Sequence, residues 1–291
     1  MINDRDKTLV EKYIQLALEE DSVDPIGKIL SGDHSSLSAV PADKTGRAKL
    51  LVKSTGIIAG VELAKTICEI VDESLQLEFL MKDGDEMNVG DIAFYISGSD
   101  RSILKAERII LNCMQRMSGI ATLTSQYVKA VSGTKAKVLD TRKTTPNFRV
   151  FEKWAVRIGG GHNHRFGLYD MIMLKDNHVD YNGSIEKAIL ATKEYKEKNG
   201  LSIPVEVEAR TLNDVEEILQ TGFVERVMFD NFSVENTAKA VALVNGKIET
   251  ESSGGINLQT IRSYAETGVD FISVGALTHS STSLDLSLKA V

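Results

Sequence analysis

Cysteine is nearly absent: Cys68 and Cys113 are the only two in 291 residues, and neither belongs to a ligand-spaced group such as C-x-x-C. This excludes a disulfide framework and a cysteine-based zinc or redox motif, and predicts two reduced, buried thiols in a cytoplasmic protein. Long apolar runs are missing as well. No stretch approaches the ~18 apolar residues that a membrane-spanning helix requires. The first twenty residues, MINDRDKTLVEKYIQLALEE, lack the continuous apolar core of a signal peptide and instead set Leu9, Tyr13, Leu16 and Ala17 at helical spacing. Basic residues are in deficit, 34 Lys and Arg against 41 Asp and Glu, for a net charge of −7. An extended nucleic-acid groove would need the opposite balance.

With 42% apolar residues, the chain can bury a large core, as one α/β domain or two unequal ones. Its scarce cations are gathered. Residues 140–178 hold seven Lys or Arg against four Asp or Glu, together with three of the five His, so this segment is net +3 and the remainder −10. A focused positive site in an acidic protein attracts a small polyanion, so the expected ligand carries carboxylates or phosphates.

Periodicity divides the chain. Short alternating strands (RAKLLVKS, LQLEFLM, DIAFYISG) surround an apolar helix near Val61 to Val71, with turns at Asp83-Gly84-Asp85 and Asn88-Val89-Gly90. A long helical pattern follows from roughly Ser102 to Val131 and reads as the domain connector. Then VEVEA, RVMFDN, IETESS and DFISVGA recur with centres roughly 21 to 23 residues apart, separated by helical stretches. With KVLDT and LYDMIML before them, these make at least six strand–helix units of a (β/α) barrel. Asp140, Lys175, Glu208, Asp230, Ser253 and Gly275 fall at or just after predicted strand ends, where such barrels build their active sites.

The individual motifs have two readings each. Arg142 and Lys143 point into the barrel mouth or cover a surface loop. Thr144, Thr145 and Pro146 read as a helix start, and Arg149, Lys153 and Arg157 as one solvated or ion-paired helix face. In Gly159-Gly160-Gly161-His162-Asn163-His164-Arg165, an extended chain puts both imidazoles on one side. A metal is disfavoured there by the cationic neighbours, whereas a carboxylate suits imidazole beside Arg. An aromatic dicarboxylate would need two clamps, which Arg142, Lys143, His164, Arg165 and Lys175 could supply. Glu208 and Asp230 either pair with Lys143 or Lys175 or hold a divalent metal on a polyphosphate. Ser252-Ser253-Gly254-Gly255-Ile256 and the turn at Gly275 suit phosphate.

DTRKTTP, EKWAVRIGGGHNHRFGLYDMIMLKDNH, VEVEA, MFDNF, SSGGI and SVGALTHS, in this order, resemble quinolinate phosphoribosyltransferases over roughly Ala106 to Leu288. The resemblance implies transfer of phosphoribose from 5-phosphoribosyl 1-pyrophosphate to quinolinate with loss of CO₂ and pyrophosphate, yielding nicotinate mononucleotide for NAD synthesis. It implies an N-terminal α/β sandwich (residues 1–112, with the tail 280–291 packing on it) and an open seven-stranded TIM-like barrel (113–279). By the same resemblance the quinolinate clamp falls on Arg142, His164, Arg165 and Lys175, with Arg108 supplied by a neighbouring subunit of a homodimer or larger assembly. Lys143, Glu208, Asp230, Ser253, Gly254, Gly255 and Gly275 fall on the pyrophosphate substrate. Lys143, Lys175, Glu208 and Asp230 are the catalytic set, and Glu208 and Asp230 position Mg²⁺, directly or through water. No organic cofactor, nucleic acid or membrane enters this scheme.

Three departures stand out: the longer acidic stretch EEDSVDPIGKILSGDHSS, Asn147 where glycine is common, and one extra residue near Val224 and Glu225. Three rivals also remain at this stage. A same-fold paralogue would act on another acceptor, a lyase would form a Schiff base on Lys143 or Lys175, and a sensor would bind without turnover.

Overall fold

The computed structural model describes residues 4–291, with side chains from Asp6 onward. In chain order the elements are α1 (Asp4–Ser22), α2 (His34–Ala39), β1 (Thr45–Val52), β2 (Gly56–Ile57), α3 (Val61–Val71), β3 (Gln76–Phe79), β4 (Glu86–Met87), β5 (Ile92–Ser99), α4 (Asp100–Ala130) and β6 (Lys137–Leu139). There follow α5 (Arg149–Ile158), β7 (Ile172–Leu174), α6 (Asp176–Asn182), α7 (Ile185–Asn199), β8 (Val205–Ala209), α8 (Leu212–Thr221) and β9 (Arg226–Asp230). The chain ends with α9 (Val234–Val244), β10 (Glu249–Ser253), α10 (Ile261–Ala265), β11 (Phe271–Ser273), α11 (Ala276–His279) and β12 (Leu286–Ala290). Two compact units result, one of the residues up to Ser125 with 144–160 and 278–291, the other of 126–143 and 161–277.

In the first unit the alternating segments form an antiparallel sheet ordered β12-β1-β5-β3. Ala48, Leu50 and Val52 of β1 are buried while Lys49 and Leu51 are half-exposed, the period-two pattern of a strand with one core face. The C-terminal tail completes the sheet edge, with Leu286 opposite Val52 and Ala290 opposite Ala48. It reaches that edge past Gly119 of α4, where an added Cβ would lie 2.1 Å from the Thr282 carbonyl oxygen. Asp83, from the expected turn, accepts the N–H groups of Gly60, Val61 and Glu62 and so caps α3 from a distant loop. The acidic stretch near the N-terminus serves a similar purpose. Asp24 accepts N–H groups from Ile26, Lys28 and Ile29, and Asp33 caps α2 through Ser35 and Ser36.

Thr144-Thr145-Pro146 does not start a helix. Asn147 takes φ +61, a left-handed conformation that asparagine tolerates, and α5 begins only at Arg149. Of the two readings of the Arg149, Lys153 and Arg157 face, the ion-paired one holds at Arg157, whereas Lys153 is not solvated. The helix is buried from Val150 to Val156, Lys153 is 1% exposed, Arg157 meets Asp6 at 3.4 Å, and Arg149 Nε donates to Thr144 Oγ1. Glu152 is fully buried between them, its carboxylate accepting from Arg116 Nε and Nη2, Thr145 Oγ1 and the Thr145 N–H.

In the second unit six strands pair in parallel in the order β6-β11-β10-β9-β8-β7. On the free side of β6, Leu139 forms a single parallel bridge with His162, so the place of the expected seventh strand is held by one bridged residue and the described sheet has six strands. One strand face carries buried Val205, Val207, Ala209, Val227 and Phe229, with α8 and α9 against the sheet. Alternation puts Glu206, Glu208, Arg226, Asp230, Glu251 and Ser253 on the opposite face. Just before Val224 and Glu225 the chain turns through Gly222 (φ +71) and Phe223 (φ +62), both at positive φ, with the Lys196 ammonium 4.9 Å from the Phe223 ring centroid. Among the described residues no helix is long and apolar enough to cross a membrane.

Candidate active site

The strand register gathers the polar strand ends. Asp140 and Lys175 directly follow β6 and β7, Glu208 is the penultimate residue of β8, and Asp230 and Ser253 end β9 and β10 opposite one another. Because Leu174 pairs with Val207, Lys175 comes beside Glu208, and its Nζ lies 3.3 Å from Glu208 Oε1. The expected pairing of a strand-end carboxylate with a lysine is therefore present at Lys175. Gly275 follows β11 and opens α11.

Arg142 and Arg165, both half-buried, come together in this unit. Burial, and after it the nearby Arg142 charge, makes Arg165 give up its proton more readily than an ordinary arginine. Two guanidiniums held together favour an arriving anion. Arg165 is itself fixed, with Nη1 donating to the Met171 carbonyl at 3.2 Å, while Asp170 accepts the Phe166 and Gly167 N–H groups and shapes the loop behind it. Lys143 is exposed, its N–H donating to Thr141 Oγ1. Arg108 belongs to the other unit, exposed on α4.

After Ser253 the chain turns through Gly254 (φ +98) and Gly255 (φ +62). A Cβ at Gly254 would sit 2.2 Å from Asn231 Oδ1, whereas one at Gly255 would meet nothing within 4 Å. The first glycine is required by close packing, and the second leaves backbone open to a ligand.

His162 and His164 do not share a side. The extended stretch ends at the His162 bridge, leaving His162 exposed and turning His164 inward to 7% exposure. There its Nε2 lies 3.0 Å from Glu206 Oε2 and 3.4 Å from Glu251 Oε2, and Arg226 Nη1 reaches Glu251 Oε2 at 3.1 Å. Both glutamates are fully buried. This cluster was not singled out from sequence, although a period-two signal was present: VEVEA and ETESS put charge at the inward parity of buried strands, where branched aliphatics usually stand.

Burial opposes a charged His164, but the two carboxylates outweigh it and push the ring up to about 9. Nδ1, however, accepts the Arg165 N–H at 2.7 Å, and a second ring proton would break that contact. Nε2 carries a proton in either case and faces the two carboxylates, and together with Arg226 it balances the buried acids. Burial and the neighbouring Glu251 raise Glu206 to about 7, while Glu251, despite its burial, is held below the usual range by His164, Arg226 and Ser273. Folded Glu206 thus keeps a proton that the unfolded chain releases near 4.5. Its contribution to stability is complete below that pH and is lost as pH rises through about 7. The urea midpoint should fall between about pH 5 and pH 8, and the fall should shrink in Glu206→Gln; an unaltered slope in the variant would assign it to other groups.

Among the described residues, His164, Glu206 and Glu251 form a group whose ligand atoms lie within 4.8 Å of one another, close enough to grip a metal. Arg226 and the retained proton already supply the positive charge there, so the donor set does not call for one. Glu208 and Asp230, by contrast, are hard oxygen donors on adjacent strands and one face at the cluster's strand-end side, which suits Mg²⁺ shared with phosphate oxygens.

Comparison with known proteins follows the same lines. The profile of the family described as "Quinolinate phosphoribosyl transferase, C-terminal domain" matches residues 120–289, and that of its N-terminal domain matches residues 33–118. A chloroplastic nicotinate-nucleotide pyrophosphorylase (carboxylating) of Arabidopsis thaliana is 46% identical over 294 residues, covering 96% of this chain and 82% of its own. A probable nicotinate-nucleotide pyrophosphorylase (carboxylating) of Bacillus subtilis is 41% identical over 258 residues, with 89% and 88% covered. The crystal structure of NadC from Streptococcus pyogenes superposes with a TM-score of 0.88 at 39% identity, covering 97% of each chain.

Proposed function

The chain belongs to the quinolinate phosphoribosyltransferase family, and from that premise we propose that it transfers phosphoribose from 5-phosphoribosyl 1-pyrophosphate to quinolinate, releasing CO₂ and pyrophosphate and giving nicotinate mononucleotide for NAD synthesis. The observation that carries this reading is the placement of Arg142 and Arg165 together, near the strand ends that hold Lys175, Glu208, Asp230 and Ser253. Such a site matches one substrate with two carboxylates and another with phosphates.

Arg142 and Arg165 grip the acceptor's carboxylates through paired N–H donors, and Lys175, leaning on Glu208, adds a third cation. Lys143, exposed on the loop after β6, stands between the two substrates. The turn Ser253-Gly254-Gly255 and the backbone at Gly275 receive phosphate. As pyrophosphate departs, positive charge builds on the ribose C1 and the ring nitrogen of quinolinate bonds to that carbon. Glu208 and Asp230 face that charge and stabilise it. Glu208 and Asp230 would also hold Mg²⁺, which when bound with pyrophosphate neutralises the leaving group. The new pyridinium then accepts the electron pair of the breaking bond to the 2-carboxylate, CO₂ leaves, and a proton replaces it on the ring carbon.

Arg108, exposed on α4, suits the role of a residue donated to a neighbouring subunit, so the working enzyme is a homodimer or larger. Free, buried Cys68 and Cys113 fit a cytoplasmic home. The test is product stoichiometry. With both substrates and Mg²⁺, CO₂ and pyrophosphate should appear one for one with nicotinate mononucleotide; pyrophosphate release without CO₂ would move the acceptor to the same-fold paralogue's side.

A further inference from the structure

We propose that Glu206 and Glu251 are positioning residues for the acceptor: from inside the barrel they hold His164, and through His164 they fix the main chain that carries Arg165. The inference rests on the acceptor clamp described above and changes the part His164 plays in it.

Removing two carboxylates from water costs several kcal/mol each unless partners are well placed. Both glutamates are nonetheless fully buried at positions where an aliphatic side chain would pack more cheaply. Their partners are Arg226, on the neighbouring strand, and His164, which is not on a strand of the sheet. His164 comes from the loop between the His162 bridge and β7, so its imidazole is the point at which the charged interior reaches that loop.

The imidazole transmits this hold in one direction. Nε2 faces Glu206 and Glu251, and Nδ1 accepts the N–H of the very next residue, Arg165, at 2.7 Å. Nδ1 is thus engaged by the Arg165 main chain while Nε2 is turned to the two carboxylates, so the ring links the buried acids to the residue that carries the guanidinium. Asp140 secures the same segment from the end of β6, accepting the His164 N–H at 2.8 Å and the Asn163 amide at 2.6 Å. A guanidinium fork discriminates between carboxylate geometries only if its base is held to within about half an ångström. Three anchors on consecutive residues Asn163, His164 and Arg165 supply that hold.

The test compares Glu206→Leu and Glu251→Gln with wild type, reading kcat, the KM for quinolinate, the KM for phosphoribosyl pyrophosphate and the urea midpoint. Loss of an outer partner of this kind typically costs about 10- to 100-fold. The quinolinate KM should rise by about that factor while the other KM stays within about twofold. Placed in an Arg165→Ala background, Glu251→Gln should add almost nothing to the quinolinate KM, because its effect runs through Arg165. Glu251→Asp, which keeps the charge and shortens the side chain, should fall between wild type and Glu251→Gln and supplies the measurement if the other variants do not fold. Unchanged KM values with only a lowered midpoint, or full additivity with Arg165→Ala, would overturn the inference alone. A wild-type enzyme without quinolinate turnover would overturn the functional reading, and the inference with it.

Discussion

Arg165→Ala should lower kcat/KM for quinolinate by about 30- to 1,000-fold, the largest catalytic loss expected of a single substitution that leaves the fold intact. Truncating one partner of a desolvated, hydrogen-bonded charge pair costs about 2–4 kcal/mol, at roughly 1.4 kcal/mol per factor of ten. Within the fold the half-buried Arg165 makes one contact with the Met171 carbonyl and is repelled by Arg142, so the urea midpoint should change little. That separation of effects is what identifies a ligand-binding cation. Steady-state kinetics with each substrate varied in turn checks it: the loss belongs in the quinolinate KM or in kcat, and unchanged kinetics would remove Arg165 from the site.

Glu152→Ala should destabilise the protein by about 3–5 kcal/mol, a large share of the stability of an ordinary domain. The carboxylate is completely buried and receives four donors, two from the Arg116 guanidinium and two from Thr145. Its removal strands a half-buried cation and a backbone N–H at once. Glu152→Gln keeps an acceptor and should cost clearly less. Urea unfolding of the two variants measures the difference, and equal midpoints would mean that the charge at Glu152 contributes nothing.

The parts of the fold legible in the sequence are those that depend on period and local chemistry. α3 runs over Val61–Val71 as its apolar spacing indicates, and the VEVEA, RVMFD and ETESS strands lie in parallel neighbouring positions. Strand-end polar residues were equally legible, because parallel β/α units put strand C-termini on one side whatever the side chains. Less visible were features set by long-range partners. The spacing of Arg149, Lys153 and Arg157 marks a solvated or ion-paired face but not its partners, and α5 is buried from Val150 to Val156, with Arg157 pairing with Asp6 and Arg149 donating to Thr144. The delayed start of α5 follows from a single backbone angle at Asn147. The sequence puts His164 in the clamp but does not orient it, since which way an imidazole turns at the end of a strand depends on Glu206 and Glu251, dozens of residues away in sequence.

The most direct test of the account compares acceptors in one enzyme: initial rates with saturating phosphoribosyl pyrophosphate and Mg²⁺, using quinolinate in one series and nicotinate, which lacks the second carboxylate, in the other. A site built around paired cations predicts turnover with quinolinate and none measurable with nicotinate. Comparable kcat/KM for the two acceptors would contradict it, because the Arg142–Arg165 pair would then be reading nothing that the second carboxylate provides.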